Sequence, residues 1–280
     1  MNNPLRPAAG TGPVLEVTPA SARWRDLAFT VARFEPGDAW TVHSDDREVA
    51  FVPQHGRIVA TVDGQSHDLS RTGPFEQRPN VLYVPPGREV RIAASADAEI
   101  AWGSAPAEGR YPVRLFRPDE TRREVRGAGP AVREVHHVLA DALPAERLIV
   151  FEVYVPGGAW SGWPPHCHDG RQGSAYLEET YYYRIRPESG FAMHRNYTRE
   201  GDMDEILAVR DQDLMVVRGG FHPVAVAPGA NTYFLNFLAG DLRDEGRARP
   251  PVDDPDHAWI KDAWDEAAMT LPIEFEPRSE

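Results

Sequence analysis

The run Pro164-Pro-His-Cys-His-Asp169, the later run Leu177-Glu-Glu-Thr-Tyr-Tyr-Tyr-Arg184 and the distant Gly219-Gly-Phe-His222 decide how this chain is read. His166 and His168 alternate in an extended segment, so both side chains leave the same face. Glu179 opens a strand in which period-two alternation puts Glu179, Tyr181 and Tyr183 on one face and Glu178 on the other. His222 comes from a glycine-rich turn. A single His on a strand is ordinarily a satisfied polar residue. Three imidazoles and a carboxylate in this order are expected to hold one divalent metal ion such as Zn2+, Mn2+ or Fe2+. Such a set leaves coordination positions for substrate oxygens or water, as catalysis requires. Glu178 is the competing ligand.

Working outward, the chain is a series of short apolar-alternating segments separated by turn signals. Leu27–Phe34, 48–52, 57–62, 81–84, 90–94 and 99–103 read as strands. Asp63-Gly64 between two of them is a hairpin signal. A looser Arg- and Pro-containing stretch over 105–130 reads as a connection, after which the pattern restarts at Arg133. Only 258–269 has a helical pattern. The class expected is all-β, with one short C-terminal helical segment.

The two halves repeat one pattern. In the second, Pro156-Gly-Gly158 precedes His166, His168, Glu179 and His222. In the first, Gly37 stands six residues before His43, Asp45 takes the place of the second His, Glu48 opens a strand, and Pro85-x-Gly87-x-x-Val90 closes the turn. This resembles the two-motif signature of cupins, small jelly-roll barrels with a metal inside. The resemblance implies a tandem cupin, a double jelly-roll β-barrel, divided into residues 1–125 and 126–280. With Asp45 and Val90 at ligand places, the first barrel is expected to be structural and the second to carry the metal. Ten residues separate His168 from Glu179, more than the general motif allows, so an inserted loop over 169–176 is expected.

The local words are more specific. Val150-Phe-Glu-Val-Tyr-Val-Pro-Gly-Gly-Ala-Trp160, Pro164 to Asp169, Leu177 to Arg184, Gly220-Phe-His-Pro223, Tyr233-Phe-Leu-Asn236 and Arg78-Pro-Asn-Val-Leu-Tyr-Val-Pro-Pro86 together closely resemble the 5-deoxy-glucuronate isomerases of bacterial inositol catabolism. These are related to the 4-deoxy-L-threo-5-hexosulose-uronate ketol-isomerases. The resemblance implies conversion of 5-deoxy-D-glucuronate to 5-dehydro-2-deoxy-D-gluconate. Moving a carbonyl to the neighbouring carbon takes a proton from one carbon and returns one to the next. The enediolate between carries charge on oxygen, which a divalent metal stabilises. Glu178, Tyr181, Tyr183 and Asp204 are the candidates for moving the proton. Arg184, Arg186, Arg195 and Arg218 are the candidates for binding the sugar's carboxylate. A hydride shift would need the metal but no base. A dioxygenase of quercetinase or pirin type, and a non-catalytic storage cupin, are the alternative readings.

Composition bounds the remaining possibilities. An apolar share of 41% supplies a core, and a formal net charge of −13 argues against nucleic acid as partner. An anionic substrate would then need a local basic patch. No apolar run approaches the roughly 20 residues that span a bilayer. With a single cysteine, Cys167, and no basic apolar leader, a cytoplasmic enzyme without disulfides is expected, and a homo-oligomer is expected from the fold.

Overall fold

The computed structural model describes residues 3–140 and 142–264. The first half forms two antiparallel sheets. One has six strands, in the order Gly12–Val17, Ala28–Phe34, Ala98–Pro106, Arg47–His55, Val81–Val84 and Arg114–Phe116. The other has four, in the order Ala39–His43, Glu89–Ala94, Ile58–Val62 and Gln65–Asp68. The second half repeats this. Its six-stranded sheet runs Arg122–Arg126, Arg133–Leu139, Ile149–Val155, Asn231–Gly240, Leu177–Arg186 and Leu214–Val217. Its four-stranded sheet runs Trp160–Ser161, Val224–Val226, Ala192–Tyr197 and Asp204–Val209. The change from one set of sheets to the next falls between Phe116 and Arg122, a little before the boundary expected at 125. Of the helix expected over 258–269, the structure shows one 3-10 turn, Ala258–Asp262, and positions from 265 on lie outside the described residues.

The sheets stack as four layers. Val49, Phe51, Leu82 and Ile100 fill the space inside the first barrel, and Tyr181, Tyr183, Val217 and Phe234 that inside the second. The alternate residues of the same strands, among them Phe29, Val31, Tyr182, Leu235 and Phe237, form a third core where the two six-stranded sheets meet. Strands buried on both faces read as continuous apolar runs, which is why this junction does not show as clean alternation. Phe237 of the second half packs against Phe29 of the first with ring centroids 5.5 Å apart. Gly103 makes room for it: a Cβ there would lie 2.2 Å from the Phe237 ring. Close packing of this kind leaves no slack between the halves.

Polar groups cross the same junction. Glu178 turns away from the second barrel and accepts the backbone N–H groups of Arg25, Asp26 and Leu27 at 2.7, 3.0 and 2.6 Å, with the Tyr176 hydroxyl at 2.9 Å. Glu48 does the same in reverse. It accepts the N–H groups of Glu146, Arg147 and Leu148 at 2.8, 2.6 and 2.7 Å and the Tyr83 hydroxyl at 2.8 Å. Each half thus holds a segment of the other by a buried carboxylate. Arg71 and Glu152, both fully buried, add an ion pair at 2.7 Å across the junction. The N-terminal arm contributes too, since Leu5 pairs with Leu214 at the edge of the second six-stranded sheet.

This arrangement corrects one expectation. Glu48 matches Glu178, not Glu179: each is the second residue of its strand and faces an Ala of the neighbouring strand, Ala105 or Ala239. The residue matching Glu179 is therefore Val49, which is buried inside the first barrel. His43 is exposed and Val90 is buried in an apolar core. Val49 and Val90 offer no donor at two of the ligand places.

Candidate metal centre

Local pairing explains why the four expected ligands meet. After His168 the chain makes a loop pinched at its base by the Asp169–Tyr176 bridge and by the Leu177 N–H to the His168 carbonyl at 2.7 Å. That return sets Glu179 beside His168. His166 sits on the short strand His166–Cys167, which pairs with Val252–Asp253 from near the C-terminus. His222 follows a turn in which Gly220, at φ +76°, lies so near the Tyr197 carbonyl that a Cβ would come within 2.4 Å. Only glycine fits there.

The result is compact. His166, His168 and His222 each present a ring nitrogen, all within 4.8 Å of one another, the one such group found among the described residues. Glu179 Oε2 is 2.9 Å from His168 Nε2 and 3.2 Å from His222 Nε2. On the far side of two of the rings a carbonyl fixes the tautomer: Leu177 O lies 3.0 Å from His168 Nδ1, and Gly220 O lies 3.0 Å from His222 Nδ1. A neutral imidazole whose Nδ1–H donates outward presents a lone pair at Nε2. Two such lone pairs aimed at one carboxylate oxygen repel unless a cation lies among them. The His222 Nε2 is buried and has no hydrogen-bond partner, as a ligand atom would be. The donor set therefore fits a divalent ion of the imidazole-and-carboxylate class.

The titratable groups of the cluster act strongly on one another. Burial, followed by the charges of His222 and His168, pushes His166 well below the usual imidazole range. Burial opposes ionisation of Glu179, but the close approach and charges of His168 and His222 outweigh it and hold its carboxyl below the usual range. For His168, burial is likewise outweighed by Glu179, and its pKa is raised. Burial and then the Glu179 charge push the Tyr181 hydroxyl well above its ordinary value, so it stays a neutral donor.

The centre lies at the wall of a cavity of about 610 Å³. Tyr181, Phe151, Trp163 and Asn236 line it. Its cationic wall comes from Arg122, Arg126 and Arg133 of the hairpin after the first barrel, and from Arg249 and Lys261 of the C-terminal segment. In a chain of net charge −13 this is a local basic patch.

Of the expected catalytic and substrate-binding residues, only Tyr181 lines this cavity. Tyr183 lies one pleat further along, fully buried, with its hydroxyl 2.8 Å from His194 Nδ1. Glu178 is on the opposite face of its strand and engaged with the first half, as alternation requires. Asp204 is exposed and forms a two-point ion pair with Arg195 at 2.9 Å, on the outer side of the four-stranded sheet. Arg184 is taken up by Glu99 and Asp211 at the junction of the halves, and Arg186 by Glu76. Arg218 is exposed and does not line the cavity. None of these arginines lines the cavity, whose cationic wall is assembled from segments remote in sequence from the four residues of the centre. Cys167 faces away from the centre among Tyr197, Phe221 and Val252, and burial pushes its thiol up to about 11.

Comparison with known proteins follows the same lines. The model of the KduI/IolB family matches residues 3–260. A 5-deoxy-glucuronate isomerase of Geobacillus thermodenitrificans is 37% identical over 257 residues, covering 90% of this chain and 92% of that protein. That of Bacillus subtilis strain 168 is 33% identical, covering 88% and 92%. The crystal structure of an IolB-like protein from Salmonella typhimurium superposes with a TM-score of 0.88 at 36% identity, covering 93% of this chain and all of that one. A Bacillus subtilis oxalate decarboxylase studied for its Mn(II) centres shares the fold alone, at a TM-score of 0.61 and 15% identity, over 90% of this chain and 79% of that one.

Proposed function

Because the chain belongs to the KduI/IolB family, we propose that it is the aldose–ketose isomerase that converts 5-deoxy-D-glucuronate to 5-dehydro-2-deoxy-D-gluconate in inositol breakdown. The observation that carries the reading is the convergence of His166, His168, Glu179 and His222 at a cavity that five cationic side chains also line. These four residues would hold one divalent ion of the Zn2+, Mn2+ or Fe2+ kind. Such an ion supplies Lewis-acid stabilisation of the oxygen charge that develops as the carbonyl moves.

The chain's own groups do the rest. The carbonyls of Leu177 and Gly220 hold two imidazoles in the tautomer that turns Nε2 inward. Glu179 stays ionised at neutral pH. Tyr181 keeps its proton, faces the cavity beside Glu179, and is placed to donate to a substrate oxygen as charge builds there. Apolar walls from Phe151, Phe234 and Leu238 limit water around the reacting carbons. We place the activity in the second barrel, with the first acting as its support. No helix among the described residues is long and apolar enough to cross a membrane; a cytoplasmic homo-oligomer is the setting proposed for the enzyme.

The test is isomerase activity on 5-deoxy-glucuronate with bound metal quantified, for the native protein and for His222→Ala. Turnover lost together with the metal supports the reading. Bound metal with no turnover, and oxygen uptake with other substrates, would overturn it in favour of a different cupin chemistry.

A further inference from the structure

Among the cations on the cavity wall, Arg133 differs from the rest. Arg122 and Arg126 both meet Glu124, Lys261 meets Asp253, and Arg249 is exposed to solvent. Arg133 opens the strand Arg133–Leu139 and is largely enclosed, yet among the described residues no carboxylate comes within ion-pair distance of it. Its partners are two backbone carbonyls, Ala131 O at 3.3 Å and Trp163 O at 3.5 Å, both reached through Nη1. The remaining edge of the guanidinium, Nε with Nη2, is the edge that takes a carboxylate in a two-point contact. Burial and the neighbouring Arg126 push its pKa down to about 10, so it remains a cation at neutral pH.

An enclosed guanidinium without an anion is costly, and proteins retain one where a ligand supplies the anion. The backbone around it is built to hold it still. Gly127, at φ +74°, sits where a Cβ would come 3.1 Å from Arg133 Nη1 and 2.2 Å from the Ala131 carbonyl. The hairpin tip thus closes over one side of the fork. His166, Tyr181 and Asn236 share the cavity with it, so a ligand gripped at Arg133 has its other end directed to the metal centre.

We propose that Arg133 is the specificity-determining anchor for the substrate's carboxylate, holding a six-carbon acid sugar by its acid end so that the carbonyl end meets His166, His168, Glu179 and His222. This rests on the isomerase reading of the same cavity. A neutral sugar of the same shape would leave the guanidinium enclosed and unpaired, which is how a site rejects a substrate that lacks one polar group.

The experiment compares native holoenzyme with Arg133→Lys and Arg133→Met. KM and kcat are measured for 5-deoxy-glucuronate and for neutral 5-deoxy-glucose, and calorimetry measures binding of adipate, a six-carbon dicarboxylate that cannot isomerise. Arg133→Met is expected to raise KM for the acid sugar about 100-fold, with kcat changed far less and metal content unchanged. The preference for acid over neutral sugar should collapse, with Arg133→Lys intermediate because it keeps the charge and loses the fork. An acid-to-neutral preference equal in native and Arg133→Met enzymes overturns the inference. Should the native protein fail to isomerise, the functional reading falls while adipate still tests Arg133: weaker binding to Arg133→Met supports the anchor, and equal binding overturns it.

Discussion

Replacing Glu178 separates a part in the chemistry from a part in assembly. Four donors converge on this carboxylate: the N–H groups of Leu27, Arg25 and Asp26 and the hydroxyl of Tyr176. Leu27 and Asp26 are buried, so Glu178→Ala strands two enclosed amides at about 1–3 kcal/mol each. Arg25 and Tyr176 reach solvent and can bond water instead, adding about 0.5–1.5 kcal/mol each. The expected loss is about 3–9 kcal/mol, a large share of the roughly 5–15 kcal/mol that holds a typical domain folded. Glu178→Gln keeps one acceptor but turns an NH2 toward N–H donors, and about 2–4 kcal/mol should go. Urea unfolding measures both, with metal content and kcat taken at low temperature on the folded fraction. Glu48→Ala is the control, since Glu48 has the mirror-image set of contacts in the barrel where Val49 and Val90 stand at ligand places. The two alanine variants should lose similar stability and leave kcat near native. A loss under about 1 kcal/mol in Glu178→Ala, with kcat collapsing, would refute the assembly role and return Glu178 to the chemistry.

Other outcomes follow from the same structure. Gly103→Ala forces a methyl into the Phe237 ring and should cost about 1–3 kcal/mol or more by thermal unfolding; Phe237→Leu in the same chain should recover part of it, and strictly additive losses in the double-mutant cycle would count against the contact. Burial, then the His222 charge, pushes His194 down to about 3. Its folded pKa lies below the unfolded value near 6.5, so its share of stability is complete above about pH 6.5 and drains away as pH falls toward 3. Between pH 6.5 and 5 the native protein should lose about 2 kcal/mol more than His194→Gln; parallel stability curves for the two would show that His194 does not titrate in this way.

The convergence of His166, His168, Glu179 and His222 was legible because its spacing is local. A His-x-His pair and one alternating strand fix which faces are shared, and parity alone separates Glu179 from Glu178. The loop over 169–176 was legible from the same spacing. Parity also explains the misreading of Glu48: with no ligand in the first barrel to fix the count, a shift of one residue moves a side chain from one core to the other. The cationic wall could not be read this way. Arg122, Arg126 and Arg133 lie in and just after a stretch that reads as a connection, and they reach the cavity only because that stretch pairs as a hairpin at the edge of the second sheet. The one signal available was an excess of arginine there, from Arg110 to Arg133, in an otherwise acidic chain. Asp204 and the arginines near His168 and His222 in sequence show the converse, since closeness along the chain does not bring them to the cavity.

The reciprocal clamps bear on how the chain is made. Synthesis runs in one direction, so Glu178 emerges to find residues 25–27 already folded beside it, whereas Glu48 must wait for residues 146–148. The face of the first barrel that carries Phe29 and Val31 waits longer still, until the strand Asn231–Gly240 brings Phe237 to cover it. At about 5–20 residues per second this leaves an apolar sheet face uncovered on the ribosome for roughly 10 s. That interval, rather than any weakness of the finished protein, is when the nascent chain is most open to aggregation and most in need of a chaperone.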